Sequence, residues 1–234
     1  MMGRTHLCIG TGVVLSIAAS TDTPITLPLI VATVIGSLLP DIDEPNSLIV
    51  SRSLPKPLLN SIRLLLVALA AIIYFSNSIP APLATLLPLA VGAIAFIPAR
   101  SLRNISMILI GVGLLVTGQL SNSWATIIGA CLLICAVVPH RGLTHTVYGL
   151  VVWSALLYYA TYQTLGHMIW IAGGTAYLLH LLADAVTDHG IRPLPPLKYR
   201  LRFRLMSTGT RSGSIIEGVC ILMTLALVVF AFFM

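Results

Sequence analysis

Charge is scarce in this chain of 234 residues: only 9% of them are Asp, Glu, Lys or Arg, whereas 57% are hydrophobic, and the mean hydropathy is +0.99. Soluble globular domains carry about 25% charged residues, so the composition excludes that class. Apolar runs follow one another with only short polar breaks, and a membrane-spanning helix needs about 17–25 mostly apolar residues. The composition therefore predicts a single integral membrane domain over residues 1–234.

Several sequence signals of enzymes are also missing. The chain has no P-loop, no dinucleotide-binding fingerprint, no G-x-S-x-G elbow and no H-E-x-x-H, which excludes the families that those motifs define. The net charge of +6 does not require nucleic acid as a partner, because the basic residues stand beside apolar segments, where topology and anionic lipid explain them. All four cysteines lie inside apolar runs and are interpreted as reduced core residues: Cys8, Cys131, Cys135 and Cys220.

Polar and proline-rich breaks divide the chain into nine apolar segments. We place them near residues 5–20, 25–39, 60–76, 83–98, 105–118, 123–139, 145–162, 168–186 and 214–233. Several are short for a complete span, so we expect about seven to nine membrane segments. The predicted fold class is an all-α, polytopic transmembrane helical bundle.

The basic residues predict its orientation, because cytoplasmic loops collect Lys and Arg. With the N terminus in the cytoplasm, all thirteen Lys and Arg fall in inner loops, and the outer turns near residues 22, 77, 119–122 and 163–167 contain none. Residues 187–213 then form a basic cytoplasmic loop along the membrane surface. Residues 60–139 contain no acidic residue and no histidine, and we interpret them as an insertion of extra spans.

The acidic and histidine side chains are distributed unevenly. Of seven acidic residues and six histidines, all but Asp22 and His167 lie at predicted inner helix ends, where an ionisable group is a functional candidate. Four motifs collect most of them: Gly3-Arg4-Thr5-His6, Leu39-Pro40-Asp41-Ile42-Asp43-Glu44, His140-Arg141-Gly142-Leu143-Thr144-His145 and His180-Leu181-Leu182-Ala183-Asp184.

Each motif alone allows a structural explanation, either a solvated helix end or a simple hydrogen-bonded pair. The i, i+4 spacing of His180 and Asp184 nevertheless puts imidazole and carboxylate on one helix face, as metal-binding helices require. Histidine and aspartate ligands without a cysteine suit Zn²⁺, Mn²⁺ or Fe, and their number allows one or two ions. Four such motifs at one membrane face predict a metal site, whose ion would bring the pKa of a bound water to about 7.

The four motifs resemble those of the YdjM-like family of membrane-bound metal-dependent hydrolases. The resemblance implies a bacterial inner-membrane protein, remotely similar to zinc-dependent phospholipase C. It also implies a set of metal ligands at matching positions: His6, Asp41, His145, His180 and Asp184, with Asp43 and His140 added. The sequence departs from the family in two respects, because Glu44 replaces a frequent histidine and nearly a hundred residues separate the second motif from the third.

The predicted reaction is hydrolysis of a phosphoester or ester of a lipid or lipid-linked molecule at the cytoplasmic interface. Arg141 would hold the anionic substrate, and Asp43 or Glu44 would accept the proton of the attacking water. The alternatives are a transporter or ion-handling protein that uses the same cluster, and a structural protein held by a metal. The sequence assigns no role to three neighbouring residues, Asp188, His189 and Glu217.

Overall fold

A computed structural model describes residues 1–43, 56–75, 83–121, 123–137 and 142–234. Within these residues the chain is all-helical and has no strand. The helices are α1 (Gly3–Ser20), α2 (Leu27–Leu38), α3 (Lys56–Phe75), α4 (Leu83–Ala95), α5 (Ala99–Ser121), α6 (Ser123–Val137), α7 (Val147–Leu165), α8 (Met168–Ala185) and α9 (Arg211–Phe233). Two short 3₁₀ helices are η1 (Leu39–Asp43), directly after α2, and η2 (Leu143–His145), directly before α7.

Each of the nine predicted apolar segments overlaps one α-helix, so the all-α prediction is confirmed for the described residues. Three helical stretches are long and apolar enough to cross a membrane, namely Pro57–Phe75, Met168–Ala185 and Arg211–Phe233. Shorter apolar helices accompany them, which is consistent with a membrane helical bundle. The number of spans and the side on which the N terminus lies stay predictions.

Threonine side chains cap the N-terminal ends of three of these helices. The hydroxyl oxygens of Thr26, Thr146 and Thr210 accept hydrogen bonds from backbone N–H groups three residues later, at 3.4, 3.2 and 3.1 Å. A hydroxyl in this position satisfies one of the amides that the first helical turn leaves unbonded. The caps therefore set where α2, α7 and α9 begin.

Helices α1, α2, α7, α8 and α9 form a packed bundle, in which α2 lies on α8, α1 lies on α2, α8 and α9, and α7 lies on α8. Small residues permit the closest approaches. A Cβ atom at Gly36 would collide with the main-chain oxygen of Gly173, and one at Gly10 would collide with the Ser37 side chain. Close backbone contacts of this kind are typical of helix packing in membranes.

The remaining helices pack mainly in pairs, α3 with α4 and α5 with α6, while α6 also contacts α7 and η1. This arrangement is consistent with residues 60–139 being an addition to the bundle, which stays a prediction.

Residues 187–206, here named the return segment, fold back over the end of α8. Phe203 N–H donates to the Ala185 carbonyl at 2.8 Å, and Leu205 N–H donates to the Val186 carbonyl at 3.0 Å. The Pro193 carbonyl accepts from Val147 N–H at 2.9 Å. The return segment thus bonds backbone groups that a helix end leaves unpaired, and it joins the end of α8 to the start of α7.

Candidate metal centre

Four side chains from three elements meet at one end of the bundle. Asp41 comes from η1, His145 from η2, and His180 and Asp184 from α8. One ligand atom of each lies within 4.8 Å of the others. The two histidines and Asp184 are buried, and the Asp41 side chain is 18% exposed. The group is therefore compact, and Asp41 marks its more accessible side.

His180 has a defined ring orientation. Its Nδ1 lies 2.8 Å from the Ser37 carbonyl oxygen. A carbonyl can only accept, so Nδ1 carries the hydrogen and Nε2 presents a lone pair in the neutral ring. Nε2 has no hydrogen-bond partner among the described residues, and it lies 3.6 Å from Asp41 Oδ1 and 3.9 Å from Asp184 Oδ2. A buried lone pair that faces two carboxylates is unfavourable unless a proton or a metal ion lies between them.

His145 stands between the same two carboxylates. Its Nε2 is 3.4 Å from Asp41 Oδ1 and 3.3 Å from Asp184 Oδ2, and its Nδ1 is 3.2 Å from the Thr144 hydroxyl. Burial disfavours the imidazolium, but hydrogen bonds and charge from Asp184 and Asp41 outweigh it and raise the pKa of His145 to about 9. The two carboxylates thus attract a positive charge, which a divalent ion would supply more strongly than a proton.

Asp184 contacts the N-terminal part of the chain through its other oxygen. His6 Nε2 lies 3.2 Å from Asp184 Oδ1, and the nitrogen of Met1 lies 3.0 Å from the same oxygen. The His6 ring also stacks on the His180 ring, with centroids 3.7 Å apart. His6 therefore lies against the four-residue group and contacts its central carboxylate.

Tyr177 supports the turn that carries His145. Its hydroxyl donates to the Thr144 main-chain carbonyl, and the residue is 2% exposed. Tyr177 stands three residues before His180, so one face of α8 both contributes a ligand candidate and supports η2. The sequence motifs did not reveal this role.

The donor set fits a divalent transition metal. Two imidazole nitrogens and two carboxylate oxygens suit Zn²⁺, Mn²⁺ or Fe²⁺, and four ligands complete a tetrahedral shell, while three leave one position open. The orphaned His180 Nε2 is the observation on which this fit depends. The described residues could thus bind one ion, and the identity of the metal stays a prediction.

The structure brings together five of the predicted site residues: His6, Asp41, His145, His180 and Asp184. Asp43 ends η1, but its side chain lies outside the described part of the structure. Glu44, His140 and Arg141 also lie outside the described residues. Their predicted roles, and those of the five as ligands, stay predictions.

The three residues without an assigned role have distinct surroundings. Glu217 on α9 is buried, and its Oε1 accepts from Met2 N–H at 2.9 Å. Asp188 of the return segment accepts a hydrogen bond from the hydroxyl of Ser207, which follows that segment, and His189 is exposed. Glu217 thus holds the N-terminal segment near the centre, a contact that no local sequence pattern indicates.

The Ser37 carbonyl is a further component that the motifs could not show. It orients His180, yet any residue at position 37 has a main-chain carbonyl, so the residue type carries no signal. Only the close contact of α2 with α8 places it there.

Comparison with known proteins supports the resemblance of the motifs. No match was found among curated proteins or among solved structures. The family model described as YdjM inner membrane protein matches residues 1–234. The match covers all four motifs and the helices between them, and the chain therefore belongs to the YdjM inner membrane protein family.

Proposed function

We propose that this protein is a membrane-embedded, metal-dependent hydrolase that cleaves a phosphoester or ester of a lipid or lipid-linked molecule at the cytoplasmic interface. The observation that carries the proposal is the position of His180 Nε2, a buried lone pair 3.6 and 3.9 Å from two carboxylate oxygens. Carboxylates and imidazoles that converge in this way are expensive to bury without a cation. A divalent ion, most plainly Zn²⁺, satisfies all of them.

The ligand candidates are Asp41, His145, His180 and Asp184, and His6 orients Asp184 from behind. With three of these side chains as ligands and the fourth position open to water, the ion would supply a Lewis acid and an activated water at neutral pH. Because Asp41 is the most exposed member, the substrate would approach from the η1 side.

The remaining predicted roles belong to residues that stand close to the ligand candidates in the sequence. Asp43 follows Asp41 by two positions, and Glu44 comes next, so either carboxylate would stand near the attacking water and accept its proton. Arg141 precedes His145 by four positions, and its guanidinium would bind an anionic phosphate or carboxyl group.

A membrane substrate is favoured by the location of the centre. The family is described as inner membrane protein, and three helical stretches are apolar and long enough to span a bilayer. If all basic loops lie inside, the centre faces the cytoplasmic headgroup region, where the ester and phosphoester bonds of lipids are found.

The first test is the metal content of the purified protein, measured by mass spectrometry after mild purification with added zinc. We expect stoichiometric metal in the parent, and its loss in His180→Ala and Asp184→Ala. His189→Ala is the matched control, because this histidine is exposed and follows Asp184 by five positions, and we expect this variant to keep the metal.

The zinc-loaded parent protein is then screened for hydrolysis of phospholipids and isoprenoid phosphates, with Asp184→Ala as the negative control. A parent that binds no metal would refute the hydrolase. Metal binding without hydrolysis, together with ion flux into proteoliposomes, would instead favour the transporter alternative.

A further inference from the structure

A cavity of about 210 Å³ lies directly beside the candidate metal centre, between α6 and α7. Its inner wall is formed by the same short segments that carry the ligand candidates. Leu39 and Ile42 flank Asp41 in η1, and Thr144 precedes His145. Neighbouring residues have Cα atoms only 3.8 Å apart, so the cavity and the centre share one wall.

The surface of the cavity is apolar even where its residues carry polar groups. The Tyr177 hydroxyl is bonded to the Thr144 carbonyl, and Trp153 Nε1 donates to the Gly173 carbonyl at 3.2 Å. Because these polar atoms are hydrogen-bonded to main-chain carbonyls, the rings present carbon atoms to the cavity. No charged side chain of the described residues lines it, which favours a hydrocarbon chain over a headgroup, sugar or nucleotide as its occupant.

The cavity also has an outer and an inner end. On the outer side, Tyr148 and Val152 of α7 are 46% and 50% exposed, whereas Tyr177 on the inner side is 2% exposed. Ile128 and Leu132 of α6 form the opposite wall. The cavity is therefore a groove that runs from the exposed surface of α7 to the turn that carries His145.

From this continuity we propose that the groove binds one aliphatic tail of the lipid substrate and thereby places the bond next to that tail at the metal centre. The inference rests on the proposed hydrolase function. It specifies the substrate class as a lipid whose scissile ester or phosphoester lies at the base of its hydrocarbon chain. Because a tail in a bilayer is already shielded from water, the groove would hold it by van der Waals packing against the apolar wall, while the carboxylates beside it repel an uncompensated anion.

The test uses a photoreactive phosphatidic acid with a diazirine near the end of one acyl chain, added to the zinc-loaded protein in phosphatidylcholine nanodiscs. Labelled residues are mapped by mass spectrometry over a range of probe concentrations. We expect saturable labelling of lining residues of α6 and α7, such as Leu132 and Leu156.

Two adjacent substitutions on α7 separate the groove from bulk lipid. Val152→Trp places an indole in the groove, and we expect it to lower labelling of the groove by about tenfold, which corresponds to about 1.4 kcal/mol of binding free energy. Val151→Trp is the matched control, because Val151 is 58% exposed on the same helix and does not line the groove. Both variants are expected to keep the zinc content of the parent.

Any of three results would overturn the tail site. The labelling does not saturate, it is no stronger on the groove than around Val151, or Val152→Trp leaves it unchanged. If zinc is bound and hydrolysis is intact, such a result refutes the tail site in the groove and leaves the proposed hydrolase function standing. A parent without zinc counts against the hydrolase itself, whatever the labelling shows.

Discussion

The imidazole rings of His6 and His180 stack with centroids 3.7 Å apart and planes 15° from parallel, although α1 and α8 stand at opposite ends of the sequence. His6 Nε2 also contacts Asp184 Oδ1 at 3.2 Å, so it supports two members of the cluster. We expect His6→Ala to keep one bound metal but to weaken its affinity by about 10–100-fold, as loss of an outer ligand partner does. Chelator competition on the purified protein measures this. Complete loss of metal would instead indicate that His6 is a direct ligand, as the family resemblance implies.

The contact between α2 and α8 should be sensitive to one methyl group. Gly36→Ala introduces a Cβ that collides with the Gly173 carbonyl, so the helices must separate and carry the Ser37 carbonyl away from His180. Overpacking of this kind costs about 1–3 kcal/mol of unfolding free energy.

Thermal unfolding in detergent and chelator competition test this prediction for Gly36→Ala. Gly113→Ala is the control, because its Cβ meets nothing within 4 Å. Equal stability and metal affinity in both variants would contradict the close packing.

Metal affinity should depend on pH through His145. Its raised pKa, about 9, means that the metal-free centre holds this ring protonated at neutral pH, whereas a metal ligand must be neutral. Binding therefore releases a proton, and affinity rises roughly tenfold per pH unit between about pH 6 and 8. Zinc competition assays at several pH values measure the slope. An affinity that does not change with pH would show that His145 is already neutral or does not bind the ion.

The hydroxyl of Tyr177 should contribute to metal affinity through its hydrogen bond to the Thr144 carbonyl. Tyr177→Phe keeps the groove wall but leaves the buried Thr144 carbonyl without this donor, at a cost of about 1–3 kcal/mol. Because that carbonyl belongs to the turn before His145, we expect metal affinity to fall on the order of tenfold. Tyr158→Phe, at a half-exposed tyrosine of α7, serves as the reference and should change nothing. Equal affinity in both variants would show that η2 does not depend on this bond.

The orientation of the chain can be tested by thiol labelling. The four native cysteines are first replaced by Ser or Ala, and single cysteines are introduced as Asp22→Cys and Lys198→Cys, both at exposed positions. The absence of basic residues near Asp22 predicts that its thiol reacts with an impermeant maleimide from outside the inner membrane. The thiol at position 198 should react only after that membrane is opened. The reverse pattern would move the metal centre to the outer face.

Most helices were predictable because their signals are local. Apolar runs bounded by Pro, Gly and polar residues mark all nine described α-helices, and the i, i+4 spacing of His180 and Asp184 correctly places them on one face. The cluster was predictable as a set for a similar reason, since an ionisable side chain at a membrane helix end has few structural explanations.

The details depend on contacts that residue types do not encode. Residue type and spacing do not show that Asp41 reaches both histidines, which depends on the 3₁₀ turn after α2. The supporting carbonyl of Ser37 and the Glu217 contact with Met2 arise from helix packing across the whole chain. Such long-range pairings follow from the three-dimensional arrangement and not from spacing.

The distribution of the cluster along the chain also constrains biosynthesis. His6 and Asp41 are translated long before His180 and Asp184, and most helices of the molecule are made in between. The early residues therefore lack their partners on α8 until that helix has been made and the return segment has folded over its end. A chain that stops before α8 would carry only half of the centre, so the site can form only late in synthesis.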